Sequence, residues 1–424
     1  MRYDAELKVR SLDEKLDPAT TALVIVDMQN DFAVPAGACE QSGDDLASIE
    51  PMVERLRSLL DVARRKQILT VHVRMNNDRP YVAANLAEAF VRRGLGYGPC
   101  QSGTEGEEFV DGLEPQPSEH ECVVTKHRFS GFWGTEIDLI LRSNGITTLV
   151  LAGIATEVCV ESTARDAFFR DYSIVVAGDC TASFSHARQR ASHELFDRSF
   201  GLVESSEAVA GAWLRSNETR RGWQNDVKET RVLDTLERRV APAHTAIIMM
   251  GFQKSVASSM PSSDGESTEI RMARRLLDRA RAAGAMVVHV ESNWSEMTRH
   301  PKMPTVPTNH VDDDFLESFE PLAGEPVVRK HRLDAFQDTD LELLLRANDI
   351  RSAIFVGLPL ERCVDMSARS AAMRDFYVVV PADGVVSGSP DTTQRTAILD
   401  TLSTYYALVP TSEEICQIWR QKTT

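Results

Sequence analysis

The segment KHRFSGFWGTEIDLILRSNGI, starting at Lys126, recurs as KHRLDAFQDTDLELLLRANDI, starting at Lys330. The match runs on through GIATEVCVEST from Gly153 and GLPLERCVDMS from Gly357, and then through RDYSIVVAGD and RDFYVVVPAD. Upstream, TALVIVDMQNDF from Thr21 aligns with TAIIMMGFQKSV from Thr245, and LTVHVR from Leu69 with MVVHVE from Met286. Self-similarity of this length means one fold built twice in series. The separation between matched residues shrinks along the chain, so the second copy has shed loop length while keeping its core elements. We expect a first domain over 1–220 and a second over 221–424, joined by the charged stretch SNETRRGWQNDVKET that starts at Ser216.

Each copy alternates short apolar runs with helical patterns. In the first, Leu23–Val26, Ile68–Val73, Cys122–Val124, Thr148–Ala152 and Ile174–Ala177 read as buried strands rich in β-branched residues. Pro51–Lys66, Glu136–Ser143 and Val160–Phe169 carry apolar residues three and four apart, as helices do. Strand and helix in alternation predict an α/β fold: two tandem three-layer α/β/α domains, each around a parallel sheet.

Composition narrows the class of partner. A net charge of -16 argues against nucleic acid. No apolar run approaches the roughly 20 residues of a membrane span, so no membrane association is expected. The opening MRYDAELKVRSLDEKLD alternates charges and has no apolar segment of the secretory kind, which points to a cytoplasmic location. Seven cysteines without CxxC spacing read as reduced thiols rather than a disulfide framework or zinc site.

Ligands of open parallel sheets sit at the carboxyl ends of the strands. Three chemically competent side chains fall there: Asp27 closes the first strand, Lys126 closes ECVVTK, and Cys159 follows TTLVLAGI. A cysteine at a helix start is a good place for a thiolate, since the dipole and free N–H groups stabilise it. A thiol, a carboxylate to take its proton and an ammonium to hold the charges are the parts an acylating cysteine hydrolase needs.

At VDMQNDF, KHRFSGFWGT and GIATEVCVEST the chain resembles the isochorismatase-like cysteine hydrolase superfamily, and the resemblance extends over both copies. It implies a six-stranded parallel sheet in each copy and a catalytic triad of Asp27, Lys126 and Cys159. It also implies a cis peptide at Ile154–Ala155, with the N–H groups of Ala155 and Cys159 forming the oxyanion hole. Enol-ether-cleaving members lack the cysteine, so Cys159 points to C–N hydrolysis. Nicotinamidases of this type carry an Asp/His metal cluster; here that region offers only His72 within a strand, a structural position, so no metal and no other cofactor are expected. The cysteine block is most similar to ureidoacrylate and biuret hydrolases, which implies a small linear amide, ureido or carbamoyl substrate. Hydrolysis of an aromatic amide such as nicotinamide, and a catalytically silent binding or regulatory role, remain the alternatives.

The segment from Asn76 to Gly112 is expected to form a lid, with Arg74, Arg79, Arg92 or Arg93 available for a substrate carboxylate. Phe32, Phe129 and Trp133 are candidates for the pocket wall. The second copy reads as a degenerate site: Lys330 and Cys363 remain, Gly251 stands at the aspartate position, and Pro359, which has no N–H, stands where the first copy has Ala155. Such a copy is expected to be pseudo-catalytic, pairing with the first within the chain as a subunit would in a homo-oligomer, with further homo-oligomerisation left open.

Overall fold

The computed structural model describes residues 10–96, 98–216, 233–258, 267–292, 314–390 and 392–421. These fall into two compact units, and the boundary expected at 220/221 lies outside the described residues. No helix among the described residues is long and apolar enough to cross a membrane.

In the first unit, six strands form one parallel sheet: β1 Thr21–Val26, β2 Leu69–Met75, β3 Glu121–Lys126, β4 Thr148–Ile154, β5 Ser173–Ala182 and β6 Leu202–Glu204. Their order is β3-β2-β1-β4-β5-β6. The second unit repeats it with β7 Thr245–Met250, β8 Met286–Ser292, β9 Val327–Lys330, β10 Ser352–Gly357, β11 Tyr377–Val379 and β12 Ala407–Leu408, ordered β12-β11-β10-β7-β8-β9. The expected pair of α/β/α domains with six-stranded parallel sheets is what the chain forms. The short edge strands β6 and β12 escape a reading by apolar runs because they span only three and two residues.

Strand alternation divides the core in two. Leu23 and Ile25 face a layer containing Leu56, Leu60 and Trp213, whereas Ala22, Val24 and Val26 face one containing Ile137, Leu141 and Ala164. With both faces covered, every residue of β1 is buried, which is why the strand reads as a continuous apolar run. The helix Ile49–Arg65 buries Leu56, Leu59 and Leu60 against one face, each burial stabilising by about 1.5–3 kcal/mol.

The strand order reverses at β1, whose neighbours are β2 and β4, and the crevice beyond the carboxyl ends lies there. Val26 pairs with Val73 on one side and Gly153 on the other, so Asp27 emerges between β2 and β4. At Gly153, with φ 118°, a Cβ would meet the Val26 carbonyl oxygen at 2.0 Å. Only glycine lets β4 close on β1 at this point.

Candidate active site

Asp27 sits one residue past β1 with φ 55°, in the left-handed region that aspartate tolerates better than most residues. That turn is pinned by Gln29, whose Nε2 donates to the carbonyls of Met75 at 3.0 Å and Glu107 at 2.9 Å, and whose Oε1 accepts from the Met75 N–H at 2.7 Å. The second unit repeats the clamp, with Gln253 Oε1 accepting from the Ser292 N–H at 2.7 Å. The sequence offered a signal for this positioning residue, because glutamine is retained in DMQ and GFQ while the aspartate is not.

Lys126 closes β3, and its Nζ lies 2.7 Å from Asp27 Oδ2 and donates to the Arg128 carbonyl at 3.1 Å. Cys159 lies on a wide, π-type turn, Thr156–Val160, that leads from β4 into the helix Glu161–Phe168. Turns of this kind recur at functional sites. Thr163 Oγ1 donates to the Cys159 carbonyl at 2.7 Å and accepts from the Gly131 N–H at 2.9 Å, tying the cysteine turn to the loop after Lys126. Asp27, Lys126 and Cys159 thus converge, all buried, with the thiol in hydrogen-bonding reach of both charged groups.

Burial sets the electrostatics. It pushes the Asp27 carboxyl above the usual carboxylate range, against the opposing pull of Lys126 and the thiol. For Lys126, burial disfavours the ammonium, but the charge and hydrogen bond of Asp27, with a further contribution from Cys159, outweigh it and hold the pKa above the ordinary lysine value. The Cys159 thiol is pushed up to about 12 by burial, with the Asp27 charge adding to the rise and Lys126 only partly offsetting it. Burial thus works against the thiolate that a helix start favours, and sets the Cys159 thiol beside a carboxylate of raised basicity.

A cavity of about 270 Å³ opens over Asp27 and Cys159. Phe32 and Phe129 line it, as does Ala155 beside the cysteine turn. The expected lid segment contributes Asn77, Phe90, Arg93, Leu95 and Pro99 to the wall. Arg74 and Trp133 do not line it. Along β2 side chains alternate, so Met75 reaches the cavity while Arg74 turns the other way and donates to Thr125 Oγ1 at 3.1 Å. Trp133 is 67% exposed, whereas its neighbour Phe132 is buried. Arg92 pairs with Glu88, and of the arginines weighed from the sequence only Arg93 reaches the wall, where it pairs with Asp44 at 2.8 Å. Glu157, Phe184 and Arg188 also line the cavity, and Arg188 Nε donates to Glu157 Oε1 at 2.8 Å. No periodicity or motif singles out Phe184 or Arg188, and Glu157 is marked only by its recurrence as Glu361 in the repeat; a turn, a loop and a helix start are brought together only by the fold.

His72 is buried in β2 with its Nε2 3.0 Å from Glu121 Oε2, and Arg64 bonds the other Glu121 oxygen at 2.8 Å. Glu121 opens β3, at the end away from Lys126. His289, Glu325 and Arg281 repeat this arrangement in the second unit, with His289 2.8 Å and Arg281 2.8 Å from Glu325. Among the described residues, no three His, Cys, Asp or Glu side chains gather as a metal site.

The second unit keeps part of this geometry. Lys330 Nζ donates to the Arg332 carbonyl at 3.0 Å and lies 3.4 Å from Cys363 Sγ. Gly251 has φ 72°, the backbone conformation of Asp27, and the peptides Ile154–Ala155 and Leu358–Pro359 are both cis.

The isochorismatase domain matches residues 21–208 and again 245–414. A ureidoacrylate amidohydrolase, RutB, of Methylorubrum extorquens is 36% identical over 218 residues, covering 48% of this chain and 87% of that protein. A second RutB, of Methylobacterium radiotolerans, is 35% identical over 210 residues, covering 46% of this chain and 81% of that protein. The crystal structure of a cysteine hydrolase from Pseudomonas syringae pv. phaseolicola is 26% identical and covers 50% of this chain and 98% of that one, with a TM-score of 0.43. With the domain matched over most of both units, this chain belongs to the isochorismatase family of hydrolases and carries the family's domain twice.

Proposed function

We propose that the first domain is a metal-independent cysteine amidohydrolase that cleaves a C–N bond of a small linear amide or ureido compound through a thioester. The observation that carries this reading is the buried convergence of Asp27, Lys126 and Cys159 at the floor of a cavity of about 270 Å³. As Sγ of Cys159 attacks the carbonyl carbon, the Asp27 carboxylate takes the thiol proton, its raised pKa suiting it to the task. The oxyanion is held by the N–H groups of Ala155 and Cys159. Asp27 passes its proton to the departing nitrogen, the C–N bond breaks, and ammonia or an amine leaves a thioester on Cys159. Water then attacks the thioester, Asp27 accepts its proton, and the thiolate leaves and is reprotonated. Lys126 stays charged throughout and steadies Asp27 and the forming thiolate.

The substrate class follows the relatives, both of them ureidoacrylate amidohydrolases. Arg93 and Arg188 on the cavity wall suit a substrate bearing a carboxylate. The second domain serves as a pseudo-catalytic copy, since Gly251 cannot act as a base and Pro359 has no N–H for an oxyanion. A screen of ureido acids, biuret, simple amides and nicotinamide for ammonia release tests the reading. A ureido compound is expected to be the best substrate; nicotinamide in that place overturns the assignment.

A further inference from the structure

We propose that Asn77 and Glu157 form a pair of acceptors that reads the two nitrogens of a ureido group, an inference that rests on the amidohydrolase reading and deepens it. Asn77 lies two residues past the end of β2, is 1% exposed and lines the cavity. Its Nδ2 donates to the Pro99 carbonyl at 2.7 Å, which settles which end of the amide is the acceptor. The acceptor, Oδ1, is buried and has no hydrogen-bond partner among the described residues. Glu157 stands on the cysteine turn, two residues before Cys159, and lines the same cavity. Its Oε1 is committed to Arg188 Nε at 2.8 Å, while Oε2 is buried and likewise without a partner among the described residues.

A buried acceptor left without a donor is costly, and folded proteins rarely retain one without a use. Two of them, on residues that line one cavity together with Cys159, call for a ligand that supplies two N–H donors. They come from different elements, one behind β2 and one on the cysteine turn, so the donors must come from two parts of the ligand. A ureido carbonyl is flanked by two N–H-bearing nitrogens; a simple carboxamide has one nitrogen, and an ester has none. The ureido group therefore satisfies both oxygens while presenting its carbonyl carbon to Cys159. Arg188 has a positioning role: by occupying Oε1 it leaves Oε2 for the substrate.

The test compares ammonia release from 3-ureidopropanoate and from glutaramate, a chain of equal length in which a methylene replaces the internal N–H. The wild-type chain is expected to prefer the ureido acid in kcat/KM by about tenfold or more, because the carbon analogue strands one acceptor. Asn77→Leu removes one acceptor, and Glu157→Gln turns the free acceptor into an amide N–H donor while Arg188 keeps its oxygen partner. Each is expected to reduce the ureido preference by about fivefold or more. A residue with a merely structural role lowers both rates together and leaves the ratio unchanged, and an unchanged ratio in both variants overturns the inference. So does a wild-type preference for glutaramate, which leaves the amidohydrolase reading standing. A wild-type chain that releases ammonia from neither compound overturns the ureido amidohydrolase reading itself.

Discussion

In the second domain the carbonyl oxygen of Leu358 lies 2.1 Å from the point that a Cβ on Gly251 would occupy. The first domain holds Asp27 at nearly the same φ, so the backbone angle is no barrier to a side chain there. The barrier is a main-chain oxygen filling the space where the base would begin. A side chain at 251 therefore requires the Leu358 backbone to shift, so the glycine is a structural requirement of this domain.

Gly251→Asp should consequently fail to create a second active site, and it should also destabilise the second domain. Overpacking against backbone typically costs about 1–3 kcal/mol. A thermal melt of the variant should show the loss, and turnover in a Gly251→Asp, Cys159→Ala background should stay at baseline. Turnover above baseline there would show that the site is repairable by its base alone.

The two cysteines should differ accordingly. Cys159→Ala should abolish turnover, and Cys363→Ala should leave it within a few-fold of the wild type, although Cys363 keeps its lysine at 3.4 Å. Intact mass and peptide mapping during turnover should find an acyl adduct on Cys159. An adduct on Cys363, or a turning-over Cys159→Ala protein, would contradict a single active site.

The fold was legible because both faces of each sheet are covered, which turns central strands such as TALVIV into unbroken apolar runs, and because those runs alternate with helices. The convergence of Asp27, Lys126 and Cys159 was legible for a related reason: a carboxylate, an ammonium and a thiol at three strand ends stand out against apolar surroundings. Side chains whose place depends on a loop's path were not. Arg74 and Met75 differ by one position, and strand alternation sends only the second to the cavity. Asn77 and Arg188 belong to no pattern in the chain, Glu157 is marked only by its match with Glu361 in the repeat, and the cavity that the three line exists only once the fold is assembled. The rise of the thiol pKa was not legible either, because a helix start by itself favours thiolate, whereas full burial beside Asp27 acts the other way.

The repeated buried pairs predict an acid-dependent share of stability. Burial alone raises Glu121, but hydrogen bonds from His72 and Arg64 outweigh it and hold the carboxyl down at about 2. Glu325, bonded by Arg281, the Leu322 N–H and His289, is likewise held at about 2 despite burial. A carboxyl depressed on folding stabilises fully above its unfolded value, near 4.5, and loses that contribution as pH falls toward 2. A Glu121→Gln, Glu325→Gln double variant should be less stable than the wild type at pH 7, with the gap narrowing as pH drops below about 4.5. Denaturant melts at several pH values measure it; a gap that is constant with pH would mean that neither carboxylate is the source.

The raised thiol makes turnover and intrinsic reactivity of Cys159 move in opposite directions. If Asp27 is the base, Asp27→Asn should lower kcat/KM by a factor on the order of 10³, as loss of one member of a concerted triad does. The same change removes the negative charge that helps to hold the thiol up, while Lys126 keeps its positive charge beside the sulfur. The Cys159 pKa should therefore fall in Asp27→Asn, and alkylation by iodoacetamide at pH 7 should be faster in the variant than in the wild type, where the thiol is neutral well into the alkaline range. Lys126→Ala removes the opposing positive charge and should slow both turnover and alkylation. For the wild type, kcat/KM should decline on the acid side through the raised Asp27 pKa, above the ordinary carboxylate range, because the carboxylate must be free to take the thiol proton. Mapping the alkylated cysteine by mass spectrometry in the three proteins decides the matter. Slower alkylation of Cys159 in Asp27→Asn than in the wild type would mean that Asp27 activates a standing thiolate rather than taking its proton during attack.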